Sequence, residues 1–181
     1  MKSFNLIITL FFLSACSFHS SQLNIISSLV LEESNDGPVP NWTIELADIR
    51  YKVFAINNEN YIYFADYEDN FVEFDGWQIS KVNGLLAFDA SIEIITRESS
   101  MYFLENDSQI YNAKCQSWQR SLVNGDTSLV YSQECVGYNP NQSFTNIIVI
   151  NDLGYIISLK YKIHPDYPPL AITMDDYFQA D

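Results

Sequence analysis

The stretch Ile147-Ile148-Val149-Ile150-Asn151-Asp152-Leu153-Gly154-Tyr155-Ile156-Ile157-Ser158-Leu159-Lys160-Tyr161-Lys162-Ile163 decides the fold class. Two runs rich in β-branched and aromatic residues flank four turn-forming residues. Branched side chains suit a pleated surface, and Asn, Asp and Gly accept turn conformations, so the stretch reads as a β-hairpin. The same pattern recurs along the chain. Tyr51 to Ile56 and Tyr61 to Ala65 flank Asn57-Asn58-Glu59-Asn60. Trp77 to Val82 and Leu85 to Phe88 flank Asn83-Gly84, which predicts a two-residue type I′ turn with positive φ at both residues. Ile92 to Thr96 and Met101 to Leu104 add short strands. No long segment of 3.6-residue period follows residue 41, and no internal repeat or low-complexity tract is present. The expected fold is all-β, an antiparallel β-sandwich or barrel of hairpins.

The N-terminus has a different grammar. Lys2 precedes a short apolar run, Phe4 to Leu13. Ten helical residues reach about 15 Å, half the hydrocarbon core, so this is a signal-peptide h-region and not a spanning helix. The run ends in Leu13-Ser14-Ala15-Cys16, a sequence that resembles a bacterial lipobox. A lipobox implies thioether lipidation of Cys16, cleavage before it and acylation of the new N-terminus, including palmitate. Several acyl chains on one residue exceed the two signals that stable anchoring takes. Ser17 stands where an inner-membrane retention signal would place Asp, which favours the outer membrane and its periplasmic face. The organisation is then a signal peptide over 1–15, a lipidated Cys and tether over 16–40, and a single β-rich periplasmic domain over 41–181. Glu32 to Pro40, with Gly37, Pro38 and Pro40, reads as tether; 22–31 leaves a short amphipathic helix open.

Charge narrows the partners. The 181 residues carry 9 Lys and Arg against 23 Asp and Glu, a formal net charge of -14. Removing Lys2 leaves eight basic side chains against the same 23 acidic ones, a balance of −15. Phosphate binding needs clustered Lys and Arg, and an anionic bilayer needs a polybasic patch, so neither nucleic acid nor charge-driven membrane docking is expected. Hydrophobic residues are 48% of the chain, too many for a disordered one.

With Cys16 lipidated, Cys115 and Cys135 remain, and an even pair in an oxidising compartment reads as a disulfide. They flank Asn124-Gly125-Asp126 symmetrically, so a hairpin folded there would set them side by side. A tight Asn-Gly loop alone would place Cys115 opposite Glu134, so a bulge is required.

Catalytic motifs do not emerge. His19 lies beside the anchor, and His164 precedes Pro165-Asp166-Tyr167-Pro168-Pro169, which reads as a surface turn. There is no nucleophile elbow, zinc-protease helix, phosphate loop or C-x-x-C. Asp66, Glu68, Asp69, Glu73 and Asp75 form an acidic cluster, but Phe71 stands where a calcium loop starting at Asp66 needs Gly. The cluster reads as a solvated turn. Neither a metal nor a cofactor is expected. Aromatics are the remaining resource: Tyr61, Tyr63, Tyr67, Trp77, Trp118, Tyr131, Tyr138, Tyr155, Tyr161 and Tyr167 could offer rings and hydroxyls to sugars, or serve as core.

Three stretches resemble the YjbF/GfcB family of bacterial lipoproteins, encoded with capsule or exopolysaccharide export genes. They are Trp77 to Leu86, Trp118-Gln119-Arg120, and Ile147 to Met174 with its Asp152-Leu153-Gly154 turn and Pro168-Pro169-Leu170. The resemblance implies a non-catalytic, lipid-anchored periplasmic β domain that works with polysaccharide or polysaccharide-export proteins. It implies no catalytic residues.

Overall fold

Alternation along the chain builds one closed sheet. The computed structural model describes residues 41–58, 60–85, 90–122, 128–138 and 142–175. Cys16, the signal peptide and the tether lie outside the described residues, as does the Asn124-Gly125-Asp126 loop. Among the described residues there are thirteen strands: β1 (Trp42–Leu46), β2 (Ile49–Asn58), β3 (Tyr61–Ala65), β4 (Phe71–Phe74), β5 (Ile79–Asn83), β6 (Ser91–Arg97), β7 (Ser100–Glu105), β8 (Ser108–Cys115), β9 (Gln119–Leu122), β10 (Leu129–Gly137), β11 (Ser143–Ile150), β12 (Ile156–Tyr161) and β13 (Leu170–Met174). Each pairs antiparallel with its neighbours from β1 through β8, then β10 to β13, and β13 returns to β1. Twelve strands therefore close into a barrel, and β9 is an extra strand on β10. Closure removes the open edges that invite aggregation.

Inward residues are apolar at every turn of the wall. Ile44, Val53, Phe64, Val72, Phe74, Ile92, Phe103, Leu159 and Ile172 are all buried. The alternate positions point outward and carry charge: Glu45, Lys52, Lys81, Glu93, Lys114 and Lys160 are exposed. A wall charged at mid-strand suits water and not hydrocarbon, and the interior is a packed core. The terminal strands are tied by Trp42 opposite Met174 and by Asp175, which accepts hydrogen bonds from Thr43 Oγ1 and Lys52 Nζ (2.7 Å for the latter).

Two sequence expectations meet the register directly. Asn151 closes the β11–β12 turn: its Oδ1 accepts the Tyr155 amide at 2.8 Å, and Gly154 takes φ 89°. Cys115 stands opposite Cys135, and the two are disulfide-bonded. The required bulge is present. Gln119 pairs with Ser132 while Cys115 pairs with Cys135, so four steps on β8–β9 answer three on β10. The extra residue falls within Gln116-Ser117-Trp118, where β8 breaks into β9. Bulges re-aim side chains, and this one bears on Trp118.

The Asn83-Gly84 hairpin differs from expectation. Asn83 stays extended within β5, opposite Ser91 of β6, so the partner of Trp77 to Val82 is β6 and not Leu85 to Phe88. Residues 86–88 lie outside the described residues. Gly84 alone takes positive φ (74°), while Leu85 is drawn into the core and its carbonyl accepts the Tyr51 hydroxyl at 2.9 Å. The long-range pairing and Leu85 burial outweigh the local turn preference. A Cβ at Gly84 would lie 2.1 Å from Asn70 Oδ1 and 3.3 Å from Asn70 Cα. Asn70 cannot easily yield, because Asp66 holds its side-chain amide at 2.7 Å. Gly84→Ala is therefore expected to destabilise by about 1–3 kcal/mol, read as a lower denaturant midpoint. An unchanged midpoint would contradict this packing.

Candidate functional site

The barrel has two ends with different chemistry. At one end lie the last residues of β2, β4, β6, β9 and β11; at the other lie those of β1, β3, β5, β7, β10 and β12. The acidic cluster is divided between them. At the second end Asp66 Oδ1 accepts the amides of Glu68 (2.8 Å) and Asn70 (3.1 Å). At the first end Asp75 Oδ1 accepts those of Trp77 (2.8 Å) and Gln78 (2.7 Å). Both are Asx-type braces that build turns. Glu73 instead accepts Ser80 Oγ on the wall and neighbours Tyr63. Among the described residues no three His, Cys, Asp or Glu side chains gather as a metal would need.

The first end gathers aromatics. Trp77, on the β4–β5 turn, lies 5.9 Å from Trp118 and 5.4 Å from Tyr131, centroid to centroid. Trp118 in turn lies 6.5 Å from Tyr161 of β12. These contacts lead from an exposed indole (Trp77, 36% exposed) through half-buried rings to a fully buried phenol. The Tyr161 hydroxyl is enclosed and, among the described residues, has no hydrogen-bond partner. Burial first, and the charge of Asp75 second, push its ionisation far above the usual phenol range, so it is a neutral O–H donor. A buried hydroxyl without a partner carries a desolvation penalty of about 1–3 kcal/mol, which makes it a marked point in the interior.

The second end holds an open cleft of about 580 Å³ lined by Glu105, Ile110, His164, Pro165, Asp166 and Tyr167. His164 is buried (6% exposed) and not the surface residue its Pro-rich context suggests. The chain folds back after β12: Asn146 Oδ1 accepts the Lys162 amide at 3.0 Å, and the Tyr167 ring packs 5.1 Å from the imidazole. The Asp166 amide donates to His164 Nδ1 at 3.1 Å, so the proton of the neutral ring is on Nε2. Burial lowers the His164 pKa against the opposing pull of Asp166 and Glu105, with Lys162 adding to the lowering.

That shift has a sign for stability. The fold prefers neutral His164, while an unfolded histidine titrates near 6.5. Its contribution is therefore present above about pH 6.5 and is lost as pH falls toward the lower folded value. The denaturant midpoint of the wild type is expected to drop more between pH 7 and pH 5 than that of His164→Gln. Parallel pH profiles for the two would contradict the assignment.

Of the other aromatics singled out in the sequence, Tyr61 and Tyr63 lie on the outer wall with Phe54 and Phe71, and Tyr67 packs on Phe54 at 4.8 Å. Tyr138 is 90% exposed at the second end. Among the described residues, Trp77, Trp118, Tyr131 and Tyr161 converge at the first end. Asp75 stands at the first end, where the sequence marks it only as part of the acidic cluster, and Glu105 lines the second-end cleft without a local signal that distinguishes it from other surface carboxylates.

Together the wall, the filled interior and the aromatic end define a closed, up-and-down antiparallel β-barrel with a ring-lined mouth. The chain matches no protein-family model and no curated protein in sequence. In structure it is similar to the hypothetical lipoprotein YmcC from Escherichia coli K12, with a TM-score of 0.52 over 86% of this chain and 90% of that one, at 10% identity. At that identity the likeness is one of fold.

Proposed function

We propose that this chain is an outer-membrane-anchored lipoprotein of the periplasmic face that assists capsule or exopolysaccharide assembly or export without catalysing a reaction. The observation that carries the reading is the pairing of its own Leu13-Ser14-Ala15-Cys16 with a barrel shared, nearly end to end, with a hypothetical lipoprotein. The charged outer wall supports a domain held at the membrane by acyl chains rather than by its strands. The aromatic mouth supports binding work, and the braced carboxylates of Asp66 and Asp75 support a structural role for the acidic cluster.

Deleting the gene and measuring surface and secreted polysaccharide under producing conditions tests the reading. Reduced or altered polysaccharide is expected; unchanged polysaccharide would redirect the chain to another envelope pathway. The anchor has its own prediction. Cys16→Ser is expected to move most of the protein from the membrane to the soluble periplasmic fraction, since no acylation remains possible at that residue. Continued membrane association with an unmodified N-terminus would defeat it.

A further inference from the structure

We propose that the outer wall of β2, β3 and β4 lies on the headgroup layer of the membrane that holds the acyl chains, with the barrel axis along the membrane plane. The inference rests on the Cys16 anchor of the proposed function and adds to it the face that meets the lipid. Outward positions alternate along each strand, and on this wall they carry rings. Phe54 and Ile56 of β2, Tyr61 and Tyr63 of β3 and Phe71 of β4 point outward, and Tyr67 of the β3–β4 turn packs on Phe54. Register makes them one patch: Ile56 stands opposite Tyr63, Phe54 opposite Ala65, and Ala65 opposite Phe71. Ring contacts of 6.4 Å between Tyr61 and Tyr63 and 6.2 Å between Tyr63 and Phe71 join its strands. Ile56 is 50% exposed and Tyr67 79%. A contiguous apolar patch of this kind marks a surface that meets a partner.

The lipid is the partner because of where the chain enters the barrel. Asn41 binds Asp175 through its carbonyl, and the next residue, Trp42, stands opposite Val53. Phe54 and Ile56 follow on the same strand, so the segment from Cys16 arrives at the edge of the aromatic wall. Extended, residues 17–40 reach at most about 80 Å. A tether of that length keeps the wall at an effective concentration near the millimolar range, so a weak surface affinity suffices once the acyl chains are inserted. Phe and Tyr suit headgroup depth, where the ring body is in apolar surroundings and the hydroxyl stays wet. The strands themselves remain outside the hydrocarbon. Charge selects neutral headgroups. Among the outward residues of β3 and β4 Glu73 alone is charged, and it stands opposite Lys81 of β5. Glu68 and Asp69 are exposed beside Tyr67, and the chain at -14 is repelled by an anionic layer. The opposite wall differs: β10 is six strands from β3 in either direction around the twelve-strand ring, and the outward residues of β10 and β11 include no aromatic.

Hydroxyl-radical footprinting read by mass spectrometry tests the orientation. Purified lipidated protein is added to preformed phosphatidylcholine vesicles, and Cys16→Ser without vesicles is the soluble reference. Tyr67 on the aromatic wall and Tyr138 beyond β10 are 79% and 90% exposed, so the ratio of their oxidation cancels scavenging by lipid. That ratio is expected to be about fivefold lower on vesicles than in the soluble reference. Ile56→Asp/Tyr67→Asp changes two exposed positions and adds charge to the wall. It should still float with the vesicles while Tyr61 oxidation returns to the soluble level. An unchanged Tyr67 to Tyr138 ratio in protein that floats with the vesicles overturns the proposal and leaves the anchor standing, and so does continued Tyr61 protection in the double variant. Wild-type protein that does not float removes the anchor and this inference with it. A ratio that falls with the concentration of Cys16→Ser alone would give the wall to a second copy of the chain and overturn the lipid assignment.

Discussion

Phe103→Ala is expected to lower the unfolding free energy by about 3–5 kcal/mol. Phe103 lies inward on β7 at 0% exposure, with its ring centroid 5.4 Å from Tyr111 and 6.2 Å from Phe144. It therefore joins β7 to the inward faces of β8 and β11. Truncation removes the transfer energy of the ring and leaves a cavity that a closed barrel cannot collapse, because each strand is held on both sides. A domain of this size is stable by about 5–15 kcal/mol, so the loss is a large share of the total. Urea denaturation measures it. Leu122→Ala, at a position 69% exposed on β9, is the control and should change stability by no more than about 0.5 kcal/mol. Equal effects at the two positions would contradict the assignment of the barrel interior.

Opening the Cys115–Cys135 bridge should cost about 3 kcal/mol. The two residues are 20 apart, and the chain-entropy treatment of a loop that size gives roughly this value. The position adds weight. The bridge lies beside the bulge where β8 gives way to β9, so it fastens β10 at the point where the backbone ladder is interrupted. Cys115 and Cys135 are both buried, so their removal also leaves the sheet seam less filled. Denaturant midpoints with and without reductant should differ for the wild type and coincide for a Cys115→Ala/Cys135→Ala variant. A wild-type midpoint indifferent to reductant would contradict a stabilising bridge.

The strands were readable because their signal is local. In β11 and β12, branched residues and an Asn-Asp-Leu-Gly turn say nearly everything about the hairpin that forms. The cysteine pairing was readable for a related reason: its symmetry about residue 125 is a property of one hairpin. Local signals mislead where a distant partner intervenes. Asn83-Gly84 has the strongest hairpin preference in the chain, yet Asn83 is held by Ser91 and Leu85 is held by the core. Conversely, Asn106-Asp107 forms a tight turn with φ of 47° and 66° between Glu105 and Ser108, a turn hidden within what looks like a glycosylation sequon. Barrel closure was not readable, since Trp42 opposite Met174 joins residues at the two ends of the domain.

The candidate site divides in the same way. Ten aromatics could be named from the sequence, but which four converge depends on curvature. Trp77 and Tyr161 meet Trp118 only because the sheet closes and a one-residue bulge sits at 116–118. The unpartnered hydroxyl of Tyr161 has no sequence signature at all, because burial and pairing are properties of the packed interior. His164 is the counterpart at the other end. Its Pro-rich surroundings suggest exposure, and the fold-back of 162–169 against Asn146 buries it.

We propose that a lipid-anchored barrel serves polysaccharide export at the membrane. The most direct measurement is surface and secreted polysaccharide in a deletion strain complemented with either the wild type or Cys16→Ser. A loss is expected in the deletion strain, restored by the wild type and not by the unanchored variant at equal protein level. Polysaccharide at the parental level in the deletion strain would contradict it.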